Sequence, residues 1–141
     1  MNTMKRLAIV NGPNLNLLGS REPHLYGGQS VEELLSSLTL RFPEVDFVHY
    51  QSNIEGELID FMQQFAGDGI VLNAGGYSHT SVAIADCVKA IAVPVISVHI
   101  TNIYAREEAR HHDLISAYSM GQITGLGTEG YGLAVQRFLS L

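Results

Sequence analysis

Cysteine is almost missing from this 141-residue chain: Cys87 stands alone, which excludes an internal disulfide and any cysteine-based zinc motif. Charge is also scarce, with 16% Asp, Glu, Lys and Arg against roughly 25% in average soluble domains. That deficit points to surface covered by self-association. Basic residues are fewer still. Eight Lys and Arg against 14 Asp and Glu give a net charge of −6, so nucleic acid has no basic patch to bind. Four prolines and 14 glycines, well dispersed, are too few for a disordered or collagen-like chain.

Long apolar runs do not occur. Lys5-Arg6 is followed only by Leu7 to Val10 before Asn11-Gly12-Pro13-Asn14, too short for the core of an export signal. The longest charge-free stretch, Gly69 to Ala85, contains Asn73, Gly75-Gly76, Ser78, His79 and Thr80, which excludes a bilayer span. The expectation is a soluble, cytoplasmic protein with no membrane or nucleic-acid partner. Its length suits one domain over residues 1–141 with a sizeable core.

Short apolar runs alternate with segments of helical period. Leu7 to Val10 reads as a strand buried on both faces. Ser30 with Glu33 makes a capping box, and Val31, Leu34, Leu35 and Leu38 follow at helical spacing up to Pro43. Val45 to Tyr50 reads as a second strand. A helix follows with Ile54, Leu58, Phe61, Met62 and Phe65 on one face and Gly67 as its stop. Gly69 to Leu72 is a third strand. Thr80 or Ser81 caps a helix ending before Pro94, and Val95 to Ile100 is a fourth strand. A short helix over about 105–110, a fifth strand at Gln122 to Thr124 and a final helix from Gly130 to Leu139 complete the pattern. This β-α rhythm predicts an α/β fold, a parallel sheet covered on both faces.

Ligands of open parallel sheets bind beyond the carboxyl ends of the strands. Three such ends are polar here: residues 11–28 after the first strand, Asn73 to His79 after the third, and His99 to Asn102 after the fourth. Converging, they would line one crevice. Residues 11–28 form a connection far longer than the usual 4–6 or so, as in an active-site lid, and carry Arg21 and Tyr26 with glycines at both ends. A guanidinium about 4 Å from a phenolate stabilises it by on the order of 4 kcal/mol at an effective dielectric of about 20. A Tyr–Arg pair shielded from water can therefore serve as a general base near neutrality. A hydrogen-bonded structural tyrosine fits the same residues.

His99 shares a strand face with Val95 and Ser97, and at the crevice mouth it is a candidate acid; a satisfied core histidine is the alternative. Asn73 and His79 flank a Gly-Gly bend that admits close backbone approach to a ligand. Asp86 lies two helical turns beyond His79 and reads, by itself, as a solvated carboxylate. Arg106 and Arg110, four apart, could dock a carboxylate or pair with Glu107 or Glu108.

Other motifs fail. Gly125-Leu126-Gly127-Thr128-Glu129-Gly130 matches a dinucleotide fingerprint but follows the last strand, so its glycines instead shape the approach to the final helix. His111-His112 has no third zinc ligand at suitable spacing. Asn11 and Asn73 occupy the positions where a response regulator needs acids.

Ile9-Val10-Asn11-Gly12-Pro13-Asn14-Leu15-Asn16-Leu17-Leu18-Gly19, Arg21-Glu22-Pro23 and Tyr26-Gly27 resemble the opening of type II 3-dehydroquinate dehydratases. The resemblance continues through Gln51-Ser52-Asn53, Glu55 to Asp60, Asn73 to Ser81, Val98 to Asn102, Ala105 to Glu108, Arg110 to His112 and Gly125 to Gly127. It implies a flavodoxin-like five-stranded sheet of order 2-1-3-4-5 and assembly into trimers and dodecamers, without metal or organic cofactor. The implied reaction is anti elimination of water from 3-dehydroquinate, giving 3-dehydroshikimate in the shikimate pathway or in quinate breakdown.

By position, the resemblance makes Tyr26 the base at C2 and Arg21 the stabiliser of its phenolate. Asn14 would hold a water at the enolate, and His99 would protonate the departing C1 hydroxyl. Asn73, His79, the amides of Ile100 and Thr101, and Arg110 would bind substrate, with Asp86 contributing across a trimer interface. The chain departs from the family pattern at Ser97, where Glu is usual, and at Asp113, where Ser is common. Ser78 and Thr101 replace a usual Thr and Ser. A carboxylate at Asp113 is expected to add negative charge beside Arg110, lowering the pH optimum or weakening substrate binding. Two readings of other classes are a non-catalytic homologue that binds a cyclohexane acid and a flavin-binding flavodoxin.

Overall fold

A computed structural model describes residues 4–141; Met1 to Thr3 of the expected domain lie outside the described residues. Five strands, β1 (Lys5–Asn11), β2 (Val45–Gln51), β3 (Gly69–Asn73), β4 (Val95–His99) and β5 (Gly121–Thr124), form one sheet. The order is β2-β1-β3-β4-β5 and every pairing is parallel, as expected. Among the described residues, five α-helices accompany it: α1 (Pro23–Tyr26), α2 (Val31–Arg41), α3 (Glu55–Gln64), α4 (Val82–Ala90) and α5 (Glu129–Leu139).

Side-chain alternation in the central strands builds two cores. Leu7, Ile9 and Val71 face one side, where they pack with Leu34 and Leu38 of α2 and Tyr131 and Phe138 of α5. Ala8, Val10, Ile70 and Leu72 face the other, against Leu58 and Met62 of α3 and Ile84 and Val88 of α4. Coverage on both faces explains why these strands are apolar throughout. Ser30 Oγ accepts the Glu33 amide, and Ser81 rather than Thr80 caps α4 through the Ile84 amide. Among the described residues, no helix is long and apolar enough to cross a membrane.

Some local expectations are corrected. Residues 105–110 are not a helix but two 3₁₀ turns, Ile103–Ala105 and Glu108–Arg110, separated by extended Arg106 and Glu107. Residues 11–28 are not without regular structure: they hold a 3₁₀ turn at Leu15–Leu17 and the four-residue α1. His79 is not on the helix that bears Asp86; it closes a 3₁₀ turn, Gly75–His79, ahead of α4. Ile54 is the exposed N-cap of α3 rather than part of its buried face, and Phe65, not Gly67, ends that helix.

The strand order reverses direction between β1 and β3, and their ends are in register, Asn11 beside Asn73. That switch point opens the crevice in which such sheets bind ligands. Gly12 brings the two connecting loops together, its amide donating to the Asn73 carbonyl at 2.7 Å. A Cβ on Gly12 would collide with the backbone carbonyl of Ala74. Gly75, with φ at +60°, makes the facing bend that only glycine adopts without strain.

Candidate active site

The crevice is a narrow cavity at the ends of β3 and β4, closed on one side by residues from the connection between β1 and α2. Arg21, Tyr26, Asn73, His79, His99 and Arg106 line it, and so do Ile100, Thr101 and Arg110. Eight of the ten residues singled out from sequence therefore share one pocket: Tyr26, His99, Arg21, Asn73, His79, Ile100, Thr101 and Arg110.

Tyr26 ends α1, a helix started by Pro23 and stopped by Gly27 at φ +82°. Its ring is 7% exposed and packs into the core beneath α2 and α5, so the phenol is fixed by its apolar body. Arginine surrounds the polar end. The Arg21 guanidinium lies 4.5 Å from the ring centroid, over its face. Arg106 Nη1 donates to the Tyr26 hydroxyl at 2.7 Å, and its guanidinium is 5.4 Å from the same centroid. Arg106 also approaches Thr101 Oγ1 at 3.4 Å, and its carbonyl meets His111 Nε2 at 2.8 Å. The direct hydrogen bond to the phenol thus comes from Arg106, whose role sequence reasoning left open, while Arg21 acts through the ring face.

His99 ends β4 with its side chain 7% exposed, and Nε2 lies 2.6 Å from Asp113 Oδ2. Burial alone would raise the Asp113 carboxyl's pKa. Hydrogen bonds from His99, from the Ser116 hydroxyl and from the amides of Ser116 and Ile115 outweigh it and hold the carboxyl well below the usual carboxylate range. Ser97 does not serve His99; its Oγ pairs with Ser119 Oγ at 2.7 Å. The expected negative charge beside Arg110 is also corrected, because Asp113 is spent on His99. Arg110 Nε instead pairs with Glu107 at 2.6 Å, and that hydrogen bond pulls the Glu107 pKa down.

Asn73 is oriented from below. Its Nδ2 donates to the Tyr131 hydroxyl at 2.9 Å, which donates to Asn11 Oδ1 at 2.7 Å, and its Oδ1 accepts the Gly75 amide at 3.1 Å. Burial pushes the Tyr131 pKa upward, with the Asn73 hydrogen bond opposing, so this phenol stays neutral and acts as a structural link. His79 stacks on His99 with centroids 5.9 Å apart, its Nδ1 2.7 Å from the His112 carbonyl oxygen.

Two of the residues singled out from sequence lie outside the lining. Asn14 is exposed, with φ at +69°, and its amide donates to Asn53 Oδ1 at 3.0 Å. Asp86 is exposed on α4. Sequence reasoning missed Tyr131 and the pairing of Asp113 with His99; no periodicity or spacing signals either, because both are contacts between distant elements. Gly125 and Gly127 do shape the approach to α5, at φ +86° and +66°, their amides donating to the His99 and Ile100 carbonyls.

Chemically, the pocket sets a tyrosine flanked by cations and a carboxylate-backed histidine around a polar crevice. That combination suits proton abstraction at one carbon with protonation of a leaving group at another. Residues 5–139 match the family model "Dehydroquinase class II". The chain is 49% identical over 136 residues to a 3-dehydroquinate dehydratase of an Exiguobacterium species, covering 95% of this chain and 94% of the relative. Its structure superposes on type II dehydroquinase from Propionibacterium acnes with a TM-score of 0.93 at 38% identity, covering all of both chains. The corresponding figures for the enzyme from Butyrivibrio crossotus are 0.94 and 37%, with 98% and 99% covered.

Proposed function

Because this chain belongs to the class II dehydroquinase family, we propose that its pocket removes water from 3-dehydroquinate to give 3-dehydroshikimate, a hydro-lyase step of the shikimate pathway. The observation that carries the mechanism is the pair of arginines on Tyr26, the hydrogen bond from Arg106 at 2.7 Å and the Arg21 guanidinium 4.5 Å over the ring. They stabilise the phenolate, which takes a proton from C2, the carbon made acidic by the adjacent ketone. The electron pair moves into the carbonyl as an enolate. Its return expels the C1 hydroxyl, to which His99 gives a proton, and water departs. The chain must then pass the proton gained by Tyr26 to solvent and reload His99.

Substrate binding is assigned to the rest of the lining. Asn73, His79 and the Ile100–Thr101 backbone meet the ring hydroxyls and carboxylate. Arg110 supplies positive charge from its place beside Glu107. Asn14 would act by holding a water against the enolate, which requires its side chain to reach inward from the surface. Asp86, exposed on α4 beside Val82, which is 63% exposed, would contribute across an interface between protomers. The chain would work as a trimer-based homo-oligomer, which its low content of charged residues supports, in the cytoplasm and without metal or organic cofactor. Light scattering on the purified chain would show the assembly directly.

Mixing purified protein with 3-dehydroquinate and following the ultraviolet absorbance of the conjugated enone tests the reading. Absorbance rises in proportion to enzyme. A folded preparation that yields no enone would overturn it.

A further inference from the structure

Asp113 is a buried carboxylate that the reaction as written does not use. It belongs to the segment between Arg110 and β5, and five donors converge on it. Oδ1 accepts the amides of Ile115 at 2.8 Å and Ser116 at 2.9 Å. Oδ2 accepts the Ser116 hydroxyl at 2.5 Å and Gln122 Nε2 at 2.9 Å, and faces His99 Nε2 at 2.6 Å. Its side chain is 6% exposed. An ionised carboxylate only accepts hydrogen bonds, so Nε2 of His99 must carry the hydrogen between them. The other ring nitrogen, Nδ1, has no hydrogen-bond partner among the described residues and is not a sealed, unsatisfied atom, so it is the one turned to the pocket.

The charge around that ring makes the carboxylate necessary. Arg21, Arg106 and Arg110 line the same pocket, His79 stacks on the ring, and no Asp or Glu is in the lining. Tyr26 is the only other titratable group there, and Glu107 is turned to Arg110. An imidazolium placed among those cations is repelled unless an anion sits closer than they do.

Resting on the dehydratase reading above, we propose that Asp113 is the positioning residue of the acid step: it fixes His99 through Nε2–H and balances the charge of the protonated ring, so that Nδ1 donates to the leaving C1 hydroxyl. Ser116 and Gln122 hold Asp113 in turn, which ties the acid to the edge strand β5.

The test uses the full chain, labelled with ¹⁵N, and Asp113→Asn. In the wild type, His99 shows an Nε2-protonated ring with a far-downfield, slowly exchanging proton, assigned by its loss in His99→Asn. In Asp113→Asn that proton signal disappears. There kcat falls about tenfold to a hundredfold, KM stays within about twofold, and the alkaline limb of the kcat profile moves to lower pH. A merely structural role would lower thermal stability without moving the profile. The proposal is overturned if the wild-type ring is protonated at Nδ1 instead, or if the folded variant keeps its kcat and pH profile. Should Asp113→Asn not fold, the wild-type ring spectrum decides alone. An absence of enone from the wild type would defeat the dehydratase reading yet leave the ring spectrum to report on the pair.

Discussion

The two sides of the pocket are built differently. His99 stands at the end of a strand inside the sheet, paired in register with Thr124 of β5 and braced by a carboxylate that four further donors hold. Tyr26 stands on a four-residue helix inside a long connection whose backbone turns left-handed at Asn14 and Glu22, neither of them glycine. Such positions cost on the order of 1–3 kcal/mol each and persist where the surroundings enforce them. Here the buried Tyr26 ring and the arginines provide that enforcement. The sheet fixes His99, the proposed acid, while Tyr26, the proposed base, rides on a connection outside it.

If the base side is the chemically decisive one, its removal gives the largest loss. Tyr26→Phe is expected to lower kcat about a thousandfold while the dissociation constant for substrate, measured by calorimetry, changes little. An unchanged rate would remove Tyr26 from its role. Arg106→Met comes next, with a loss of about a hundredfold in kcat because the variant loses the hydrogen bond donated to the phenol oxygen. A larger loss from Arg21→Met than from Arg106→Met would reverse the order assigned to the two arginines.

On the acid side, stability carries the smaller signal. The carboxyl of Asp113 ionises at a lower pH in the folded chain than in the unfolded one. Its stabilisation is therefore complete above the ordinary carboxylate value near 3.9 and is lost as pH falls toward the folded value. Asp113→Asn should cost about 2 kcal/mol by urea unfolding at pH 7, with the gap to the wild type narrowing below about pH 4. A gap that does not narrow there would mean the carboxylate is not held as an anion.

The same contrast separates what sequence could and could not reveal. Strands β1, β3 and β4 were legible because two-sided burial writes continuous apolar runs, and α2 was legible from its cap and spacing. Tyr26, His99 and Arg21 were visible as polar residues at strand ends and in an over-long connection. The turns at Leu15–Leu17 and α1 are too short to show any period. The helix expected over 105–110 fails because Arg106 must reach Tyr26. Its extended backbone breaks a run of good helix formers, so tertiary contact overrides local propensity. The bracing of His99 by Asp113 and of Asn73 by Tyr131 joins distant elements, for which a single sequence holds no signal.

The most direct test of base and acid acting from opposite sides is stereochemical. 3-Dehydroquinate deuterated at one or other C2 position is turned over, and the label in the enone product is measured by mass spectrometry. Loss of the deuterium anti to the C1 hydroxyl, with retention of the other, is the predicted result. Loss of the syn deuterium would contradict anti elimination by Tyr26 and His99.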